Sequence, residues 1–263
     1  MTGAVAENPA SSAAPAARTA GLAIAAAVVV LFAFYGAYFA QTLVPLTPEQ
    51  MVLSAAAAPR GVYDSLLTLW QAVAGPSLLA ARVLSLLASV LTIVLAFGIA
   101  RRVTGDVVMA AFLLLPFVLF PPLVAALSTA TPHALFVLSA IIVMALLQRG
   151  TGTVSAAAAG LVALAGGLLH PVALVTMPLW VVLCAAVLGQ RRRAFIVLGF
   201  ALAALVLALA GVPVPTLDPD VSGAGHGTIL KALAVPYAMI IVATVLSAVA
   251  ALSGPVRAAL NPL

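Results

Sequence analysis

The feature that most constrains the fold of this chain is the apolar stretch of residues 77–105, SLLAARVLSLLASVLTIVLAFGIARRVTG. At about 1.5 Å of rise per residue, its roughly twenty uninterrupted apolar residues match the thickness of a bilayer. Arg101 and Arg102 follow at its far end, where basic residues are typical of the cytoplasmic boundary of a span. The stretch therefore predicts a membrane-spanning helix, with one charge, Arg82, about one turn inside its opposite end.

The composition extends this prediction to a polytopic membrane protein. Hydrophobic residues make up 65% of the sequence and charged residues 6%, which would leave the surface of a water-soluble domain almost entirely apolar. The net charge of +5 comes from basic residues that lie between apolar runs, where they determine topology rather than form a nucleic-acid surface. We therefore exclude nucleic acid as a partner, and no motif predicts a cofactor.

Further apolar runs predict an all-helical chain of about eight spans. Residues 1–18, rich in Ala, Pro and Ser, are predicted to be a disordered cytoplasmic tail, and residues 19–263 a single membrane domain. Prolines should kink or break the third span, and residues 154–188 form either two spans or a re-entrant hairpin. The boundaries of the other predicted spans are about 21–43, 77–105, 107–127, 132–149, 194–212 and 229–252.

The distribution of basic residues predicts the orientation of these spans. With the amino terminus inside, eight arginines lie on the cytoplasmic side, and only Arg60, Arg82 and Lys231 lie on the opposite face. The extracytoplasmic side then carries a loop of residues 44–76 with an interfacial helix and a second loop of residues 213–228. We therefore predict a multi-pass protein of the bacterial inner membrane whose polar chemistry lies on its outer face.

Two ionisable residues near that face are candidates for ligand binding. Arg82 could hold a lipid phosphate through charge-assisted hydrogen bonds, or it could snorkel to the headgroups or bond to a neighbouring helix. His170 could carry a proton or bind a ligand, although a capping or packing role is the simpler interpretation beside Pro171.

The acidic residues of the outer face are weaker candidates. Asp64 and Glu49 could act as catalytic bases, but acids on an interfacial helix more often face water. A divalent metal could bind in the second loop, whose carboxylates and imidazole lie close together in sequence. Their spacing matches no known site, so a solvated turn is the better interpretation of Asp218, Asp220 and His226.

Spaced residues between Leu46 and Trp180 carry a resemblance to a known family. The matching residues are Ser77, Ala80, Arg82, Ser85, Leu87, Leu91, Thr92, Ala100, Arg101, Arg102 and Gly105, with Val62, Tyr63, Leu66, Leu67, Pro121, Ala134, Leu135 and His170 elsewhere. In this layout the chain resembles the amino-terminal membrane half of GT-C glycosyltransferases, which include protein O-mannosyltransferases and aminoarabinose transferases. The resemblance implies a GT-C-like fold and a polyprenyl-phosphate sugar donor. It also implies ligand-binding roles for Tyr63 and His133 beside Arg82 and His170.

The chain departs from the family where the chemistry would be carried out. The family has an acidic pair after its first span, because a carboxylate takes a proton from the acceptor hydroxyl, and the nearest match here is Ala40-Gln41. Its His-Pro-Pro segment is replaced by Pro59-Arg60-Gly61. A polar segment of the family is replaced here by Ser128, Thr129 and Thr131, followed by His133 where a tyrosine is common. These departures predict that sugar transfer has been lost.

Three functional hypotheses follow from these residues. The leading one is a non-catalytic membrane subunit that binds a membrane lipid, such as an isoprenoid phosphate, or a membrane protein partner. The alternative is an active polyprenyl-phosphate-sugar-dependent glycosyltransferase, with Asp64 or Glu49 as base and Arg82 on the donor phosphate. A small-solute transporter is the weakest hypothesis, because no pair of broken helices repeats across two halves. Small residues such as Gly166 and Gly167 permit close packing, either within the chain or against a partner.

Overall fold

The computed structural model describes residues 10–42, 61–150, 152–170, 173–189 and 191–212, and this part of the chain folds into ten helices without a β-strand. In chain order the helices are α1 (Ala10–Thr42), α2 (Val62–Ala74), α3 (Leu78–Thr104), α4 (Val107–Phe112), α5 (Pro116–Leu119), α6 (Pro121–Ser128), α7 (His133–Arg149), α8 (Thr153–Gly167), α9 (Ala173–Leu188) and α10 (Arg191–Leu209). The all-helical prediction is confirmed for these residues. The predicted loop of residues 213–228 and the last predicted span lie outside them.

Three segments of the described helices are long and apolar enough to cross a membrane, which identifies the chain as a membrane protein. They are Arg18–Thr42 in α1, Leu78–Thr104 in α3 and Arg192–Leu209 in α10, and they agree with the first, second and seventh predicted spans. Helices α7, α8 and α9 are shorter, with 17, 15 and 16 residues, or about 25 Å or less at 1.5 Å per residue. The described residues of the 154–188 segment thus fold as two helices, an arrangement that fits either version of that prediction.

The boundaries of α1, α3 and α4 follow from their local sequences. Helix α1 begins at Ala10, inside the predicted tail of residues 1–18, where alanine, the strongest helix former, is abundant. The Ser77 hydroxyl caps α3 by accepting a hydrogen bond from the Ala80 amide at 3.1 Å. Gly105 ends α3 with a positive φ of 68°, and Asp106 then caps α4. The α3–α4 connection is therefore a tight turn.

Prolines divide the third predicted span into three short helices. Helix α4 ends at Phe112, and Pro116 and Pro121 are the first residues of α5 and α6. Proline is accepted at the first helical position because its missing N–H would have no intrahelical partner there, but it cannot continue a preceding helix. The predicted break is confirmed, and it brings Ser128 and the polar turn after it to the start of α7.

Helices α7 to α10 pack closely through glycines of α8. A β-carbon at Gly167 would lie 2.9 Å from Cβ of Ala204 on α10, and one at Gly166 would lie 2.6 Å from Cε of Met177 on α9. Small residues let helix backbones approach in this way. Of the two roles predicted for Gly166 and Gly167, the structure therefore shows close packing within the chain.

The helix bundle has two chemically different ends. The backbone of Gly21 in α1 lies against Val107, and Gly98 near the end of α3 lies close to Arg149 at the end of α7. The start of α10 meets the same end, because Arg193 donates to the Leu147 carbonyl. We call this the basic end, since it holds seven of the eight arginines in the described ranges: Arg18, Arg101, Arg102, Arg149, Arg191, Arg192 and Arg193. The opposite end, at the start of α3, is the Arg82 end.

Candidate functional site

Arg82 is enclosed by protein at the start of α3. Its side chain is 2% exposed, and its Nη1 donates a hydrogen bond of 2.9 Å to the carbonyl oxygen of Ala40 in the last turn of α1. The last carbonyls of a helix have no intrahelical partner and carry partial negative charge, so a guanidinium is a favourable donor for them. Of the roles predicted for Arg82, the structure shows the interhelical hydrogen bond, and the burial disfavours snorkelling.

Small hydroxyl side chains follow Arg82 along the same face of α3. Ser89 donates to the Leu127 carbonyl on α6 at 3.0 Å and is completely buried. Ser85, one turn from Arg82, is 1% exposed, and its hydroxyl has no hydrogen-bond partner among the described residues. A buried hydroxyl without a partner has a desolvation penalty of roughly 1–3 kcal/mol. The face of α3 that carries Arg82 therefore contains a polar group whose hydrogen-bonding capacity is unused within the described structure.

The polar turn between α6 and α7 lies at the same end. The side chains of Ser128, Thr129 and Thr131 are all buried. The Thr131 hydroxyl lies 3.0 Å from Nδ1 of His133 and 3.4 Å from the Thr129 hydroxyl. These contacts form a short chain of hydroxyl and imidazole groups from the end of α6 to the start of α7. The turn is thus hydrogen-bonded within itself.

His133, the first residue of α7, and His170, between α8 and α9, are brought together although they lie far apart in sequence. Their ring centroids are 5.1 Å apart with an interplanar angle of 41°. Burial, with a further contribution from the neighbouring His133, lowers the pKa of His170 to about 4. His170 is therefore neutral at pH 7, where it can exchange hydrogen bonds but cannot supply a positive charge.

Tyr63 and Asp64 are carried to the Arg82 end by α2. This helix lies within the 44–76 segment and packs on α3, where the indole N–H of Trp70 donates to the Ala80 carbonyl at 2.7 Å. Asp64 is 3% exposed and Tyr63 is completely buried. Tyr63 belongs to the same apolar cluster as Ala81, Ala130 and Leu169, which are the immediate sequence neighbours of Arg82, Thr131 and His170.

The remaining predicted candidates, Glu49, Asp218, Asp220 and His226, lie outside the described residues. Within the described ranges, no three His, Cys, Asp or Glu side chains come together in a way that could hold a metal ion.

Arg193 at the basic end is a structural residue that the sequence reasoning missed. Its guanidinium donates to the carbonyls of Leu146 and Leu147 and to the Ser155 hydroxyl, and so joins α10 to the end of α7 and the start of α8. Three consecutive arginines at a span boundary are ordinarily interpreted as a determinant of orientation. That interpretation does not reveal the contacts that Arg193 makes with α7 and α8. The available signal was its position at the amino-terminal turn of α10, where a cation is disfavoured by the helix dipole and so requires other partners.

Chemically, the Arg82 end places a guanidinium, a carboxylate, several hydroxyls and two neighbouring imidazoles at one end of the bundle. This set suits the recognition of an anion through charge-assisted hydrogen bonds. The other carboxylate in the described ranges, Asp106, lies at the basic end, where it caps α4. Comparisons with protein-family models, with curated proteins and with solved structures found no match for the chain.

Proposed function

We propose that this chain is a multi-pass membrane subunit with a GT-C-like layout that no longer transfers sugar and that binds the phosphate of a membrane lipid at its Arg82 end. The proposed topology has about eight spans with the amino terminus in the cytoplasm of a bacterium and the chain in the inner membrane. The clustering of described arginines at the basic end supports this orientation, because positively charged residues are retained on the cytoplasmic side. The Arg82 end then faces the outer leaflet.

The observation that carries the proposal is the contact between Arg82 and Ala40. In the resemblance to GT-C enzymes, Ala40-Gln41 occupies the position of the acidic pair that would act on the acceptor. Here the guanidinium meets a neutral backbone carbonyl at that position, 2.9 Å away. A carbonyl cannot take a proton at neutral pH, so this position supplies no catalytic base, whereas the enclosed cation still favours an oxyanion.

A polyprenyl phosphate is the ligand class that fits this end of the chain best. Its phosphate would lie beside Arg82 and the unsatisfied hydroxyl of Ser85, while its isoprenoid tail would stay in the surrounding lipid. The neutral imidazole of His170 and the hydroxyl of Tyr63 can contribute hydrogen bonds without adding charge.

The test is binding and turnover by the purified full-length chain in lipid nanodiscs. We expect polyprenyl phosphate to bind, as detected by native mass spectrometry, and Arg82→Gln to weaken that binding by about tenfold or more, as expected for the loss of a charge-assisted hydrogen bond. Arg101→Gln, an exposed arginine at the other end of the same helix, is the matched control and should bind normally. Unchanged lipid binding by Arg82→Gln, or a membrane protein that copurifies in stoichiometric amounts in place of a lipid, would favour the partner-binding form of the subunit.

An active glycosyltransferase is the second candidate. It is favoured by the position of Asp64, which α2 carries to the same end of the bundle as Arg82. Transfer of sugar from a polyprenyl-phosphate donor, abolished by Asp64→Asn and retained by the basic-end variant Asp106→Asn, would establish this candidate and overturn the non-catalytic proposal.

A further inference from the structure

The basic end presents arginines from three different helices close to one another. The Arg149 side chain, at the end of α7, would lie 3.9 Å from a β-carbon at Gly98 of α3, about one turn before Arg101 and Arg102. Arg193 ties the start of α10, and with it Arg192, to the same end of α7. The arginines at the ends of α3 and α7 and at the start of α10 therefore surround one region of the bundle boundary.

The contacts of Arg193 hold this region in a fixed arrangement. Its guanidinium donates to Leu147 at 3.0 Å, to Leu146 at 3.4 Å and to the Ser155 hydroxyl. Gly150 permits this closure, because a β-carbon there would lie 3.2 Å from Nη2 of Arg193 and would collide with Ser155. Three helix ends are thus fixed by one side chain, so the neighbouring arginines project from a preorganised backbone.

The outer arginines of this region have unused hydrogen-bonding capacity. Arg101, Arg102, Arg149 and Arg192 are exposed, and none forms a hydrogen bond or ion pair with another described residue. The nearby carboxylate of Asp106 is occupied, since it accepts hydrogen bonds from the amides of Val108 at 2.7 Å and Met109 at 3.4 Å. These guanidinium groups can each take two phosphate oxygens in a bidentate arrangement.

We propose that this region binds the headgroup of an anionic phospholipid from the adjacent leaflet, between the ends of α3 and α7 and the start of α10. Large apolar side chains are exposed next to these residues in the sequence: Val154, which precedes Ser155, is 83% exposed, and Phe195, three residues after Arg192 on α10, is 70% exposed. A free phosphate would gain nothing from these side chains, whereas the acyl chains of a lipid would cover them. Basic pockets between transmembrane helices on the cytoplasmic side bind the headgroups of anionic lipids.

The test uses the full-length chain in nanodiscs of phosphatidylcholine to which phosphatidylglycerol is added in increasing amounts, with bound lipids counted by native mass spectrometry. The wild-type chain should retain phosphatidylglycerol preferentially. The double variant Arg149→Gln/Arg192→Gln should bind it about thirtyfold more weakly, since each arginine near an anionic lipid contributes roughly 1 kcal/mol. Arg149→Lys/Arg192→Lys should recover part of this loss, because the charge is kept and the bidentate geometry is not.

The matched control is Arg18→Gln, an exposed arginine at the same end on α1, which should retain wild-type affinity. An equal loss in Arg18→Gln would show a diffuse charge effect and overturn the site. No preference of the wild-type chain for phosphatidylglycerol, or equal competition by inorganic phosphate, would overturn the lipid assignment. If the double variant does not fold, the single variants Arg149→Gln and Arg192→Gln make the same comparison, each with about a fivefold loss of lipid affinity.

Discussion

The two ends of the bundle use arginine in opposite ways. At the Arg82 end the guanidinium is 2% exposed and hydrogen-bonded to the last turn of α1, whereas Arg101 and Arg149 at the basic end are exposed. Burying a charge costs desolvation free energy, so a buried charge requires a partner with good geometry. An exposed charge in the last turn of a helix complements the helix dipole without that cost. Charge at the Arg82 end is therefore tied to helix packing, whereas charge at the basic end is available to the surroundings.

The largest expected effect comes from removing the buried charge. Arg82→Met should lower the free energy of unfolding by about 3 kcal/mol, because it breaks a hydrogen bond to a charged donor and leaves the Ala40 carbonyl buried without it. Arg101→Met, the matched exposed arginine on α3, should change it by less than about 0.5 kcal/mol. Unfolding in mixed micelles by SDS titration measures both. A gain in stability for Arg82→Met would contradict this view of the Arg82 end, since it would show that Arg82 is retained for a ligand at the expense of packing.

The histidine pair gives the Arg82 end a pH dependence. The pKa of His170 is lowered to about 4, so the unfolded chain, with a pKa near 6.5, binds more protons between these values. The contribution of neutral His170 to the free energy of unfolding is then fully present above pH 6.5 and is lost as the pH falls toward 4. Between pH 7 and pH 5 the loss should be about 2 kcal/mol.

Thermal unfolding of the wild-type chain and of His170→Gln across this range tests the point. The variant should have a flatter profile than the wild-type chain. Arg149→Gln is the control from the basic end and should keep the wild-type slope, because arginine does not titrate in this range. Parallel profiles for His170→Gln and the wild-type chain would assign the acid sensitivity to other groups.

Sequence reasoning succeeded where the physics depends on neighbours along the chain. The spans in α1, α3 and α10 follow from the length of apolar runs, and the break before Pro121 follows from the missing N–H of proline. The common location of Arg82, His133 and His170 at one end also followed from counting spans between them. The start of α1 at Ala10 was not predicted, because the low hydrophobicity of the tail was weighed and its alanine content was not.

The specific contacts of the site could not be predicted. The bond between Arg82 and Ala40, and the contact between His133 and His170, join residues far apart in sequence and depend on how helices rotate and approach one another. In a membrane span, lipid and protein can both cover an apolar face. The sequence pattern therefore does not show which face packs against other helices. Arg193 was assigned an orienting role for the same reason, since two of its partners are backbone carbonyls, which any sequence would provide.

A smaller effect is expected from Arg193, which is an exception to the contrast between the ends because it is half-buried although it lies at the basic end. Arg193→Gln should lower stability by about 1.5 kcal/mol, since its guanidinium serves the last carbonyls of α7. Arg192→Gln, its exposed neighbour, should have an effect within about 0.5 kcal/mol. SDS titration of the two variants side by side measures the difference. Equal small effects would mean that the contacts of Arg193 contribute no more than an exposed charge.

The smallest expected effect compares the two ends without changing any charge. Gly36 on α1 lies near the Arg82 end, where a β-carbon would collide with Leu86 and lie 3.0 Å from the Ser128 hydroxyl. That hydroxyl is held by its own hydrogen bond to Val124 at 2.7 Å, so it cannot easily move away. Gly36→Ala should therefore lower stability by about 1 kcal/mol, the crowding exceeding the gain in helix propensity.

Gly98→Ala is the counterpart at the basic end, where the nearest neighbour of a β-carbon would be the Arg149 guanidinium at an unstrained 3.9 Å. With no crowding to offset it, the propensity gain should raise stability by up to about 1 kcal/mol. Opposite signs for the two variants in the same unfolding assay would show that the Arg82 end is tightly packed and the basic end is not. The same sign for both would mean that the two ends differ in the placement of charge alone, because packing would then tolerate a methyl group equally well at each.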